Sequence, residues 1–69
     1  MSDDNTAKIA RLEVMQTAAR RQVRALNNDL ARARANGQGK VIERIKESIR
    51  AYEAEIKERA ARIEDLQRG

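Results

Sequence analysis

The chain has 69 residues, enough for one small domain, and it contains neither cysteine nor histidine, which excludes disulfides, thiolate metal sites and imidazole acid–base chemistry. Charged residues make up 38% of it, with 15 basic against 11 acidic side chains and a net charge of +4. Because no apolar run reaches the about 18–20 residues that span a bilayer, and the start lacks a secretory signal, we expect a cytoplasmic protein without membrane contact.

The first predicted element is a helix from about residue 4 to residue 35. Residues 2–6 are all of types that cap helix N-termini, and no proline follows to interrupt the helix. Apolar residues then recur at alternating steps of three and four, the spacing of a coiled-coil seam. The series in this helix is Ile9, Leu12, Gln16, Ala19, Val23, Leu26, Leu30 and Ala33.

Residues 36–39, Asn-Gly-Gln-Gly, form the one turn signal in the sequence and are predicted to be a loop. Glycine suits the left-handed residue that ends many helices. Two glycines also disfavour a continuous helix through this point, since each costs roughly 1 kcal/mol relative to alanine.

The second predicted helix runs from about residue 40 to residue 67, and its seam mirrors the first. Each residue of one series has a partner in the other whose number brings the sum to 75. The second series is Ile42, Ile45, Ile49, Tyr52, Ile56, Arg59, Ile63 and Leu66.

The mirrored heptads predict an all-α fold: an antiparallel two-helix coiled-coil hairpin that forms a single domain over residues 1–69. A parallel assembly of extended chains does not explain the mirror symmetry. On the edge of the seam, Arg20 and Glu53 are expected to meet. Within the seam, Gln16 and Arg59 form one polar layer, which we interpret as a register key rather than a binding feature.

A core of this size rarely supplies more than about 3–5 kcal/mol, so we expect the hairpin to dimerise into a four-helix bundle. With Ile9 at heptad position a, each a residue of one helix faces a d residue of the other. Met15 and Val41 then widen the seam at positions g, and small residues occupy outward positions c and f, although alanine is also simply the best helix former. The candidate self-association face comprises Ala7, Val14, Ala18, Ala25, Ala51, Ala54 and Ala61.

Positive charge is concentrated on the first helix, where seven basic residues oppose two acidic ones between residues 7 and 35. Such a face can bind phosphates, bind an acidic protein, or simply be solvated. The nucleic-acid interpretation is weakened because no exposed aromatic side chain is available to stack on a base. Tyr52, the only aromatic residue, belongs to the seam. The candidate partner or phosphate face comprises Arg11, Arg20, Arg21, Arg24, Arg32 and Arg34.

The second helix contains seven carboxylates with basic neighbours at helical spacing, a pattern typical of surface ion pairs. We therefore expect no catalytic, metal or cofactor site, and no enzymatic activity. The leading hypothesis is a non-enzymatic protein–protein interaction module, a self-associating hairpin that acts as an adaptor, scaffold or modulator of another protein. The alternative is a nucleic-acid-binding regulator that uses the basic face of the first helix.

Overall fold

The computed structural model describes the backbone of residues 2–69 and the side chains from residue 4 onward. Two helices, α1 (Ser2–Ala35) and α2 (Gly39–Arg68), pack against each other as a hairpin. The predicted all-helical, two-helix hairpin is thus confirmed. The helices exceed the predicted bounds by one or two residues, and together they form a rod 54 Å long, 14 Å wide and 11 Å thick.

The turn is built around one left-handed residue, Gly37, whose φ is 65°. The N–H of Gln38 donates to the Ala33 carbonyl at 3.0 Å, and the N–H of Gly37 donates to the Arg34 carbonyl at 3.2 Å. This pair of hydrogen bonds is the Schellman motif that satisfies the last carbonyls of a helix. The Gln38 carbonyl then accepts from the N–H of Ile42 at 2.9 Å, so α2 begins immediately.

The loop is one residue shorter than predicted, because Gly39 lies in the first turn of α2. Its φ is not positive, and a Cβ added there would meet nothing within 4 Å. A single left-handed glycine is sufficient to reverse the chain, and the second glycine is not required by the backbone.

The core is a single seam between the two helices. All members of both predicted series are buried or half-buried, while the only other side chains from residue 4 onward that reach half-burial are Asn5, Lys46 and Ser48. No side chain that the structure describes is fully enclosed. The most buried positions are Gln16, Ala19, Leu30, Ala33 and Ile49.

The two helices contribute side chains of different size to the seam. The mirrored register places Ala19 opposite Ile56 and Ala33 opposite Ile42. Ala33 is only 3% exposed, so α2 covers it closely. Small residues on α1 facing β-branched ones on α2 allow a narrow separation of the helices without leaving voids.

Candidate interaction surfaces

The polar layer of the seam is a hydrogen-bonded unit that joins the two helices. Nε2 of Gln16 donates to the Ile56 carbonyl at 2.9 Å, and Nη1 of Arg59 donates to Oε1 of Gln16 at 3.0 Å. Gln16 is 4% exposed, and every buried side-chain polar atom in the described part of the chain has a partner. Both ends of the amide are used within the hairpin, which supports the interpretation as a register key.

The hairpin has two different flanks beside the seam. On the first, which we call the Met15 flank, a groove of 250 Å³ is lined by Met15, Glu55 and Arg62, all at heptad position g. On the opposite, which we call the Arg20 flank, Glu13, Arg20 and Ala60 at position e line another groove. In an antiparallel pair the e positions of both helices share one side and the g positions share the other.

The Met15 flank exposes more apolar surface. Two further grooves, of 430 and 260 Å³, open here: the first reaches Leu12 and Leu66 of the seam, and the second reaches Ile45 beside Val41. Met15 is 46% exposed and Val41 is 39% exposed, and both belong to this flank. Partly covered seam residues are therefore accessible from this side.

The predicted self-association face does not form one surface on the hairpin. Position f points directly away from the partner helix, so the f residues of α1 and α2 lie on opposite backs of the rod. The c residues adjoin the Met15 flank instead. All seven are exposed: Ala7 and Val14 on the back of α1, Ala54 and Ala61 on the back of α2, and Ala18, Ala25 and Ala51 beside the Met15 flank.

The six arginines of the predicted basic face are also divided by the hairpin. All of them are exposed. Heptad geometry assigns Arg20, Arg24 and Arg34 to the Arg20 flank, Arg11 and Arg32 to the side of the Met15 flank, and Arg21 to the back of α1.

The net positive charge of the hairpin lies in the half of the rod next to the loop, where both helices contribute cations. The loop half, residues 20–55, contains nine basic and five acidic residues, a net charge of +4, and the remaining residues sum to zero. Folding adds four cations of α2 to the arginines of α1. They are Lys40, Arg44, Lys46 and Arg50. Counting charge helix by helix missed this concentration, although the mirrored numbering would have revealed it.

Few of these charges are paired within the hairpin. Among residues 4–69 the ion pairs are Lys46–Glu43 at 3.6 Å and Arg68–Glu64 at 2.7 Å. The expected contact between Arg20 and Glu53 is therefore wrong. Both side chains are exposed, and holding two long solvated chains together costs about as much as the pair returns. In the loop half, Lys46 alone among the cations has a carboxylate partner.

The described residues contain neither a metal-binding cluster nor a membrane-spanning segment. No group of three or more acidic side chains is placed to hold a metal ion, although α2 has seven carboxylates. Neither helix has a segment both long and apolar enough to cross a bilayer.

Comparison of the chain with family models, curated proteins and solved structures finds no match. Function is therefore inferred from the burial, charge and hydrogen bonds of the chain itself.

Proposed function

We propose that this chain is a non-enzymatic protein–protein interaction module: a hairpin that self-associates and acts as an adaptor, scaffold or modulator of another protein. The observation that supports this proposal is its exposed area. The accessible surface is 5550 Å² for a mass of 7.8 kDa, whereas a compact monomer of that mass exposes roughly 4,400 Å². A rod with one thin seam leaves an excess of roughly 1,100 Å² in water.

A second copy of the chain has the right size to cover this excess. One long face of a rod 54 Å by 14 Å has an area of roughly 750 Å², close to the ~800 Å² that each partner buries in a stable interface. Pairing two such faces would create a four-helix bundle, in which the seam of each hairpin is covered by the helices of the other.

The Met15 flank is the best candidate for that face. Its grooves expose the seam, and Met15 and Val41 extend the apolar surface. Along α1 the centre of this side is uncharged, so its burial incurs little desolvation cost, whereas α2 contributes the carboxylates of Glu55 and Glu58 at the same level. The uncharged residues are Met15, Ala18, Gln22 and Ala25 of α1 with Ser48 and Ala51 of α2.

Charge favours an antiparallel arrangement of the two rods. Parallel rods would place two loop halves, each with a net charge of +4, side by side. Antiparallel rods place each loop half against the other half of the partner, whose net charge is zero. Because like charges repel, the antiparallel dimer, which separates the two loop halves, has the lower electrostatic energy.

Sedimentation equilibrium tests self-association. We expect a dimer at micromolar concentration, and Met15→Glu should weaken it at least about tenfold, because a charge would be buried at the interface. Val14→Glu is the matched control, since the neighbouring Val14 is 70% exposed on the back of α1 and should leave the dimer unchanged. A folded monomer at about 100 µM would contradict the proposal.

The second protein and the cytoplasmic location stay predictions from the sequence. In a dimer packed through the Met15 flank, the backs of both helices remain exposed. Val14, on the back of α1, then remains an exposed apolar side chain that a helix of the partner protein could contact.

A further inference from the structure

We propose that the loop half of the Arg20 flank binds the phosphate backbone of a nucleic-acid duplex, independently of sequence. Its cations come from both helices, and we call them the basic edge: Arg20, Arg24 and Arg34 of α1 with Lys46 and Arg50 of α2. The arginines are exposed and Lys46 is half-buried. Glu43 and Glu53 share this side, so its net charge is +3.

The hairpin arranges these cations as a row along the rod. In the mirrored register Lys46 is level with residue 29 and Arg50 with residue 25, between Arg20 and Arg34 of α1. At about 1.5 Å per residue the row is roughly 21 Å long, with most axial steps near 6–8 Å. A row of this kind suits a polymer with evenly spaced charge, and duplex DNA carries one negative charge per about 1.7 Å of its axis.

The guanidinium groups of the basic edge are available to a ligand. None of its four arginines has an ion pair or a side-chain hydrogen bond within the described part of the hairpin. Arginine presents a planar fork of donors that matches phosphate oxygens in pairs. Lys46 is held by Glu43 at 3.6 Å, a solvated contact with side-chain exposures of 38% and 68% that competes little with a phosphate.

The same surface fits a protein partner poorly. Protein interfaces are anchored by apolar and aromatic side chains at their centre. The exposed large apolar residues of the described chain are Val14, Met15 and Val41, and none belongs to the basic edge. A surface of charges without an apolar anchor is typical of phosphate binding.

Duplex is favoured over single strand because the basic edge has no aromatic side chain. Proteins that bind single strands stack bases on aromatic rings, and Tyr52 is half-buried in the seam. One amide, Asn27, lies among the cations, which is too little for base readout. We therefore expect contacts that position a duplex without selecting its sequence.

This inference does not depend on self-association. In a dimer packed through the Met15 flank, both basic edges face outward on the opposite side of each hairpin. Because the two edges point in opposite directions, a dimer would offer two separate duplex sites, and a monomer would offer one.

Fluorescence anisotropy with labelled duplexes tests the proposal. The full chain is titrated with 20-base-pair DNA, 20-base-pair RNA and poly-glutamate at salt concentrations rising from about 50 mM. We expect micromolar binding to at least one duplex, with an affinity that falls steeply as salt rises. The DNA and RNA arms identify which backbone is preferred, and equal or tighter binding of poly-glutamate would overturn the proposal in favour of an acidic protein.

Two variants with the same net charge separate the basic edge from charge in general. Arg20→Ala/Arg24→Ala/Arg50→Ala should weaken binding at least tenfold and reduce the salt slope by about 3. Arg11→Ala/Arg21→Ala/Arg32→Ala, which removes three cations from the other sides of the hairpin, should bind within about twofold of the wild type. Circular dichroism checks that both are helical. No binding by the wild type at about 50 mM salt, or equal losses in both variants, would overturn the inference.

Discussion

Arg59 donates a hydrogen bond to the side chain of Gln16 across the seam, and Gln16 is almost completely buried. The carbonyl oxygen of Gln16 therefore depends on a donor that belongs to the other helix. The energetic consequence is asymmetric, because removing one partner leaves a buried polar atom unsatisfied, whereas removing both leaves none.

The polar layer is expected to cost stability while setting the register. Arg59→Leu alone should lower the free energy of unfolding by about 1–3 kcal/mol, because Oε1 of Gln16 loses its donor. Gln16→Leu/Arg59→Leu should instead raise the melting temperature above that of the wild type and loosen the choice of partner or register. Urea unfolding followed by circular dichroism measures the first effect, and sedimentation equilibrium measures the second. Unchanged or lower stability of the double variant, with an unchanged oligomer, would contradict this role.

The two turn glycines should respond in opposite directions to the same substitution. Gly37→Ala should destabilise the hairpin by about 1–2 kcal/mol, since φ is 65° and alanine disfavours the left-handed region. Gly39→Ala should stabilise it by about 0.5–1 kcal/mol, because the site is helical and open. Urea midpoints of the two variants provide the comparison, and a loss at residue 39 as large as that at residue 37 would contradict the assigned turn.

Close packing of the seam near the turn is tested by enlarging an alanine. Ala33 is 3% exposed, so Ala33→Leu should overpack the seam and lower the free energy of unfolding by about 1–3 kcal/mol. Ala31→Leu is the matched control on the exposed surface of the same turn and should change stability by no more than about 0.5 kcal/mol. If thermal unfolding shows both variants to be equally stable, the seam is looser at Ala33 than its burial indicates.

The orientation of the proposed dimer is measurable because the chain has no native cysteine. A spin label on Asn36→Cys lies at the loop end of the rod. Antiparallel rods would place the two labels roughly 40 Å or more apart, given about 1.5 Å per residue of helix, whereas parallel rods would bring them close together. Pulsed electron paramagnetic resonance gives the distance. A label on Gln22→Cys, near the middle of the rod, should report a short distance in the antiparallel dimer and serves as its control.

The seam could be predicted from the sequence because the same spacing of apolar residues is repeated along both helices. Alternating steps of three and four from Ile9 to Ala33, and again from Ile42 to Leu66, place one apolar stripe on each helix, and every member is buried or half-buried. The turn was predicted to within one residue. Its exact length depended on the hydrogen bonds of Gln38, which closes α1 and begins α2 within one residue.

The composition of the outer surfaces could not be predicted from the pattern of either helix alone. Val14 and Ala61 both have outward positions in their own helices, but the hairpin turns them to opposite backs of the rod. Arg20 and Glu53 are neighbours in the heptad register, yet hydration of two exposed chains prevails over their attraction.

The sequence by itself therefore determined the helices, the seam and its antiparallel register, since hydrophobic periodicity is a local property repeated along each helix. Only the tertiary structure decided how the Gln16 amide is satisfied and which charged side chains form ion pairs. Those properties depend on the distance between residues far apart in the chain. That distance is set by the packing of the two helices against each other, and the periodicity within one helix does not determine it.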